Sequence, residues 1–276
     1  MIGLILVSIG TFLDEISTLI GKTEVQNKRE SVYSMAFLCL IWGTLWFLLI
    51  ILYKGQFIFS AASLPTVIIR ILTEIVLVYV TTLAIVKADR STFGFVRTGT
   101  IPLLLFADLW LGYTLTLPQL TGIAILVLGL AFAFLNHGLE KNGIRLVVIA
   151  TILPVITISL YKYNITHYNS VEAEQLISHV ALLVFTFFMA LRFGRENPIR
   201  LLAKREFFLQ SFAGGIGGVL ISFAYLFSSA STITAAKRAV SVLWAIFSGN
   251  RYFEEKRFLF KIVLLLFVVT GLFLLT

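Results

Sequence analysis

The chain has 276 residues, of which 59% are hydrophobic and only 13% are charged, and its formal net charge is +8. Soluble domains are about 25% charged. This composition, with a mean hydropathy of +0.97, excludes an ordinary soluble protein, because one core cannot bury so many apolar side chains. In a membrane protein, Lys and Arg collect in loops beside anionic headgroups. The positive charge therefore predicts contact with membrane lipids and no nucleic-acid partner.

Ten long apolar runs follow one another along the chain. A helix needs about 20 mostly apolar residues to cross the hydrocarbon, and the runs are continuous rather than alternating, which favours helices over a barrel. The first run precedes Asp14 and Glu15 and lacks a basic leader, so we expect a mature helix and not a cleaved signal. We predict an all-α membrane protein with about ten transmembrane helices, at 2–20, 33–53, 66–86, 91–112, 119–136, 145–161, 172–191, 207–228, 231–249 and 258–276.

The two halves of the chain look alike. Arg97 and Arg238 lie 141 residues apart, and Gly129 and Gly271 lie 142 apart. The pattern predicts one transmembrane domain, 1–276, built from five-helix repeats at 1–138 and 139–276. Since five is odd, two like-folded halves must be inverted in the membrane, a plan typical of secondary transporters.

Positively charged residues are concentrated in the odd-numbered loops, which hold 15 Lys and Arg residues. The even-numbered loops hold Lys54, with Arg70 and Lys162 near the ends of spans. The positive-inside rule then places the odd loops in the cytoplasm and both termini outside. We expect a multi-pass protein of the cell membrane, with the bacterial inner membrane favoured.

Three basic residues lie within the predicted spans. Lys237 and Arg238 fall about two turns into the ninth span, and Arg97 occupies the repeat-related position in the fourth. A charge in hydrocarbon costs at least ~2.5–3.5 kcal/mol on insertion scales, so such residues usually face a cavity or a partner. Arg and Lys both recognise phosphate or carboxylate. We predict that Lys237, Arg238 and Arg97 contact an anionic substrate and that Trp244 forms a wall of the binding cavity. Two alternatives remain. The basic residues could form ion pairs with Asp14, Glu15 or Asp108, or they could snorkel to the lipid headgroups.

Carboxylates and glycines add further candidates. Asp14 and Glu15 are candidates for proton coupling, the alternatives being interfacial water or an ion pair with Lys162. Arg70 and Glu74, spaced i and i+4, are predicted to pair on one helix face. A cluster in the eighth span has the small-xxx-small pattern of close helix packing, or else lines a cavity with bare backbone: Gly214, Gly215, Gly217 and Gly218.

No catalytic set and no Cys/His spacing of a metal site can be assembled from the sequence. The sequence therefore predicts no enzyme, no metal and no cofactor. It favours a secondary transporter that moves a small organic, anionic metabolite by alternating access, as a monomer or homodimer. The alternative is a membrane enzyme or scaffold whose basic pair engages lipid phosphate.

Several motifs resemble the drug/metabolite transporter superfamily, in particular its EamA-type ten-helix permeases. They are AAKRAVSVLWAIFSGNRYFEE from Ala235 to Glu255, LWLGYTLTLPQLTG, where Tyr113 replaces a usual Glu, and LDEIS with Asp14. The resemblance implies a ten-helix metabolite transporter made of inverted repeats. It also implies that Lys237 and Arg238 engage phosphate, as in the phosphate-sugar branch. The family usually places both termini in the cytoplasm, opposite to the loop charges, so both orientations stay open.

Overall fold

All the secondary structure is helical in the parts of the chain that the computed structural model describes, residues 2–110, 117–135, 142–252 and 258–275. A 3₁₀ turn at Ala61–Ser63 precedes α3, and a π-helical turn at Ala190–Gly194 follows α8. The helices are α1 (Ile2–Gln26), α2 (Val32–Lys54), α3 (Leu64–Lys87), α4 (Arg90–Arg97), α5 (Thr100–Trp110), α6 (Leu117–Leu135), α7 (Ile144–His167), α8 (Val171–Met189), α9 (Pro198–Leu201), α10 (Arg205–Ala224), α11 (Ala230–Tyr252) and α12 (Phe258–Leu275).

Six of these helices, α1, α2, α3, α7, α8 and α10, are long and apolar enough to cross a membrane. Large apolar side chains are exposed on their outer surfaces, among them Leu52 and Leu72. Apolar surface of this extent needs lipid to cover it. The prediction of an all-α, multi-pass membrane protein is thereby confirmed. Tyr113, the predicted junction near Gly138 and the side chain of Asp108 lie outside the described residues.

The predicted fourth span, 91–112, is not one helix but two. Thr98 and Gly99 form a turn between α4 and α5. Pro102 lacks the N–H that would bond the Thr98 carbonyl in a continuous α-helix, and the amide of Ile101 donates to that carbonyl instead, at 3.0 Å. The prediction of a single helix here was wrong, because Pro102 removes one backbone donor within an otherwise continuous apolar run.

Helices from the two halves of the chain interleave. α1 packs on α10 and α11, α2 on α8 and α10, α3 on α7 and α8, and α6 on α12. The short helices α4 and α5 lie against α7 and α11. As a result, residues from both halves meet at the centre of the bundle.

Glycines allow the closest of these helix contacts. A Cβ on Gly217 would lie 2.6 Å from the carbonyl oxygen of Gly10, and a Cβ on Gly215 would lie 2.7 Å from the amide nitrogen of Gly43. Real Cβ atoms do not approach backbone so closely, so α10 can seat against α1 and α2 only without these side chains. The predicted close packing is confirmed at these positions, whereas Gly218 has open space beside it.

The connections between helices gather at two ends of the bundle. At one end, which we call the basic face, the amide of Ser31 donates to Oε1 of Glu196 at 2.6 Å, and Nζ of Lys22 donates to the Ala88 carbonyl at 2.7 Å. At the other end, the opposite face, the amide of Ser170 donates to the carbonyl of Ile58 at 2.9 Å. The odd-numbered loops that the structure describes thus share one face.

Candidate functional site

The structure brings the three predicted basic residues together. Arg97 is the last residue of α4, and Lys237 and Arg238 lie in the middle of α11. All three line both of two neighbouring cavities. We call Arg97, Lys237 and Arg238 the basic triad.

The two cavities lie on different sides of the basic triad. The first, of about 250 Å³, is bordered by the part of α3 from Leu77 to Ile85, which runs toward the basic face. The second, of about 180 Å³, is bordered by Arg70, Glu74 and Leu77, nearer the start of α3 at the opposite face. We call them the basic-side cavity and the opposite-side cavity. The basic triad occupies the level at which they adjoin.

Two guanidinium groups of the basic triad have no ionic partner in the part of the chain that the structure describes. Among the described residues, neither Arg97 nor Arg238 makes an ion pair, and the Nε atom of each is buried without a hydrogen-bond acceptor. Arg238 is only 3% exposed, and the guanidinium of Arg97 lies 4.9 Å from the centre of the Phe93 ring. A buried cation without a partner is costly, so this pair is suited to receive an anion.

Lys237 does have a partner, Asp14 on α1. Its Nζ lies 3.4 Å from Oδ2 of Asp14, and both side chains remain partly exposed, at 23% and 37%. An internal pair of this kind was one of the alternatives open from the sequence. The pair is loose, because charge-assisted hydrogen bonds are usually 2.7–2.9 Å long.

Glu15, the neighbour of Asp14, is held differently. Arg90, at the start of α4, forms an ion pair with Oε2 of Glu15, and the hydroxyl of Ser241 donates to Oε1 at 2.5 Å. Arg90 also donates to Oγ1 of Thr18 at 3.1 Å. Sequence reasoning assigned Arg90 to a loop and missed this role, since the residue stands at the border of an apolar run.

Trp244 lies apart from the basic triad. Its ring is 4.7 Å from that of Phe12, centre to centre, and it lines a third cavity of about 160 Å³ together with Phe247 and Tyr252. Glu15 borders this third cavity as well as the basic-side cavity. The structure therefore does not place Trp244 against the three cations.

A second polar network crosses the bundle near the opposite face. Nε of Arg70 donates to Glu74 at 2.9 Å, as predicted, but Nη1 also donates to Glu174 at 2.8 Å and Nη2 to Gln175 at 2.7 Å. Glu174 has no exposed surface and accepts a further bond from Asn164 at 2.9 Å. Each of the three guanidinium nitrogens of Arg70 thus donates a hydrogen bond, which distinguishes Arg70 from the arginines of the basic triad.

Lys162 and His179, two further polar residues of the predicted spans, contact only protein groups among the described residues. Nζ of Lys162 donates to the carbonyls of Tyr225 and Ser228, at 2.7 and 3.2 Å, beyond the end of α10, so it does not pair with Asp14 or Glu15. His179 packs edge-on against Phe47. No group of three or more potential metal ligands occurs among the described residues.

Compared with known protein families and with curated proteins, the chain matches no family model and no curated sequence. The resemblance noted from the motifs accordingly stays a prediction.

Proposed function

We propose that the protein is a secondary transporter that moves a small anionic metabolite across the membrane by alternating access. The observation that supports this most directly is the position of the basic triad, which borders one cavity toward each face. Two of its three cations lack an ionic partner within the described chain. A substrate held by these groups would be reachable from either side, as alternating access requires.

The anion is expected to be small. Pockets for drug-sized ligands occupy about 300–1,000 Å³, whereas the larger of the two cavities measures about 250 Å³. Guanidinium groups bind carboxylate and phosphate in a planar, bidentate manner, and an ammonium adds a point charge. A carboxylate or phosphate ester of a few carbon atoms suits both the volume and the charges.

We further propose two inverted five-helix repeats, the architecture of the EamA-type permeases. The pattern of helix contacts supports this. In a two-fold relation, each helix of the first half exchanges with one of the second: α1 with α7, α2 with α8, α3 with α10, the α4–α5 pair with α11, and α6 with α12. Under this exchange the α1–α10 contact becomes α7–α3, and the α2–α10 contact becomes α8–α3. Both members of each pair occur, and α2–α8 and α6–α12 map onto themselves. A two-fold relation between the halves explains this agreement.

The break between α4 and α5 is a further point in favour of transport. Substrate sites of secondary transporters typically lie near the membrane midplane beside discontinuous helices. Here the chain turns at Thr98 and Gly99, directly after Arg97. At the break, the amides of Thr98 and Gly99 donate to the carbonyls of Phe95 and Val96, both at 3.1 Å. The hydroxyl of Thr98 also donates to the Phe95 carbonyl at 2.6 Å. The backbone thus stays bonded where the helix is interrupted.

The test is binding and flux with purified protein. Thermal-shift screening against small carboxylates and phosphate esters identifies ligands, and uptake of the best ligand is then measured in proteoliposomes. Losing a charge-assisted hydrogen bond costs about 1.5–3 kcal/mol, so Arg238→Gln or Arg97→Gln should weaken binding by about 10- to 100-fold. Arg192→Gln, at an exposed arginine, is the control and should bind as wild type does.

Two outcomes would contradict the proposal. Wild-type affinity in both Arg238→Gln and Arg97→Gln would remove the basic triad as the site. Binding of phosphate-bearing lipid without flux of any soluble anion would instead favour a membrane enzyme or scaffold.

A further inference from the structure

The two adjacent carboxylates beside the basic triad are bonded unequally. Both oxygens of Glu15 are used, one by Arg90 and one by Ser241. Asp14 has a single ionic contact, with Lys237 at 3.4 Å, and at 37% its side chain is more than twice as exposed as that of Glu15, at 14%. Asp14 is therefore the carboxylate that can change partners.

The charges around Asp14 come from three elements. Glu15 lies beside it on α1, Arg97 faces it from α4, and Lys237 and Arg238 face it from α11; α2 contributes the thiol of Cys39 to the same cavity. α3 and α10 also pack on α1, but α3 contributes only uncharged side chains to this cavity and α10 contributes none. The charge of Glu15 is already compensated by Arg90. The charges that remain around the cavity are therefore the three cations of the basic triad and the carboxylate of Asp14.

An anion bound to the basic triad competes with Asp14 for Lys237. Lys237 lines both cavities next to Arg238, which pairs with none of the described carboxylates, so a substrate that engages the arginines also reaches the Lys237 ammonium. Two negative charges within a few ångströms of each other repel, more strongly where water is scarce. A proton on Asp14 relieves that repulsion and frees Lys237 completely.

Given the proposed function, we infer that Asp14 is the coupling group, which takes up a proton from the cavity water when the substrate anion replaces it at Lys237. The carboxylate becomes a carboxylic acid, the ammonium keeps its charge, and no other bond changes. The proton then travels with the anion, which makes the protein an anion–proton symporter.

Glu15 is unsuited to the same task. If Glu15 were neutralised, Arg90, which is 3% exposed, would lose this ion pair, and it does not line the basic-side cavity where a substrate could compensate the loss. Removing one partner of a buried pair is strongly unfavourable. Neutralising Asp14 carries no such penalty, since the arriving anion replaces it at Lys237.

The experiment measures proton uptake on anion binding. Sulfate serves as the probe because it stays fully ionised near neutral pH, so that any protons taken up belong to the protein. Titration calorimetry of the full chain in detergent, in two buffers of different ionisation enthalpy, gives the number of protons bound per sulfate. We expect net uptake of up to one proton in the wild type.

Variants identify the group that takes up the proton. Asp14→Asn should bind sulfate without proton uptake, and Asp14→Glu should restore it. Glu172→Gln is the matched control, because Glu172 pairs with Lys54 at 2.9 Å as a single lysine–carboxylate contact outside the cavities; it should keep the uptake of the wild type. Should Asp14→Asn not fold, Asp14→Ala takes its place. In the wild type, affinity for sulfate must also fall as pH rises, because coupling is reciprocal.

The outcomes separate this inference from the proposed function. Sulfate binding with no proton uptake and no dependence on pH would overturn the coupling role and leave the anion site standing. Proton uptake that persists in Asp14→Asn would assign it to another group. Absence of sulfate binding to the wild type would overturn both the anion site and the coupling.

Discussion

Replacing Gly215 with alanine tests how tightly α10 is seated against α2. The added Cβ would lie 2.7 Å from the amide nitrogen of Gly43 and 2.8 Å from the carbonyl carbon of Trp42. Non-bonded carbon atoms prefer about 3.5–4.0 Å, so the contacts are short by almost 1 Å. These two are backbone atoms, and the nearest neighbour of all, Cβ of Trp42, is attached directly to the backbone, so none of the three can rotate away. The two helices must therefore move apart.

The size of the effect follows from two opposing terms. Overpacking a well-packed interface typically costs about 1–3 kcal/mol. Alanine also improves the intrinsic helix propensity by about 1 kcal/mol relative to glycine. Gly218, one turn further along α10, has nothing within 4 Å of its Cβ position, so Gly218→Ala gains the propensity without the clash. The two variants should differ in stability by about 1–3 kcal/mol.

Thermal unfolding of both variants in the same detergent measures this difference. At about 2–4 °C per kcal/mol for a chain of roughly this size, Gly215→Ala should melt at least ~2 °C below Gly218→Ala. Equal melting temperatures would mean that α10 and α2 can separate freely at this point, and would refute the account of their close approach.

Three further changes have expected outcomes. Glu174→Ala removes one of the two carboxylates paired with the buried Arg70 and should destabilise the protein by about 1–3 kcal/mol, because the donors that Glu174 satisfied lose their acceptor; chemical unfolding would measure this. Burial raises the pKa of Glu30, in the α1–α2 connection, to about 9. The contribution of this group to stability is therefore complete below about pH 4.5 and is lost as pH rises through 9. The melting temperature of Glu30→Gln should accordingly depend less on pH between 5 and 9 than that of the wild type. Trp244→Leu should leave anion affinity within about twofold of wild type, because the ring lies outside both cavities that border the basic triad; a tenfold loss in equilibrium binding would contradict that placement.

Much of the helical architecture is predictable because a membrane imposes a simple requirement on sequence. A long continuous apolar run satisfies its backbone only as a helix, and the described helices follow the predicted runs closely. The exception is the α4–α5 break. Pro102 is itself tolerated in an apolar run. Its effect on the Thr98 carbonyl depends on whether another group can bond that carbonyl instead, as the amide of Ile101 does.

The basic triad was predictable for an energetic reason, whereas its surroundings were not. A charge in hydrocarbon is expensive enough that Arg97, Lys237 and Arg238 stand out in the sequence alone. Glu174 and Arg70 lie 104 residues apart, and no local pattern joins them. The surroundings of Trp244 depend on α1 crossing α11, since Phe12 covers its ring.

The two cavities share their cations and Leu77, but their other lining residues differ. Thr81 lines only the basic-side cavity, and Gln175 and Thr234 line only the opposite-side cavity. In the proposed cycle, substitution of a shared cation changes the Michaelis constants for influx and efflux together. Substitution of a wall residue changes the constant measured from one side first, while the equilibrium distribution of substrate stays fixed by the gradients. Comparing Thr81 and Gln175 variants in sealed vesicles would thus relate each cavity to a membrane side. This would determine the orientation of the protein, for which the loop charges and the family resemblance make opposite predictions.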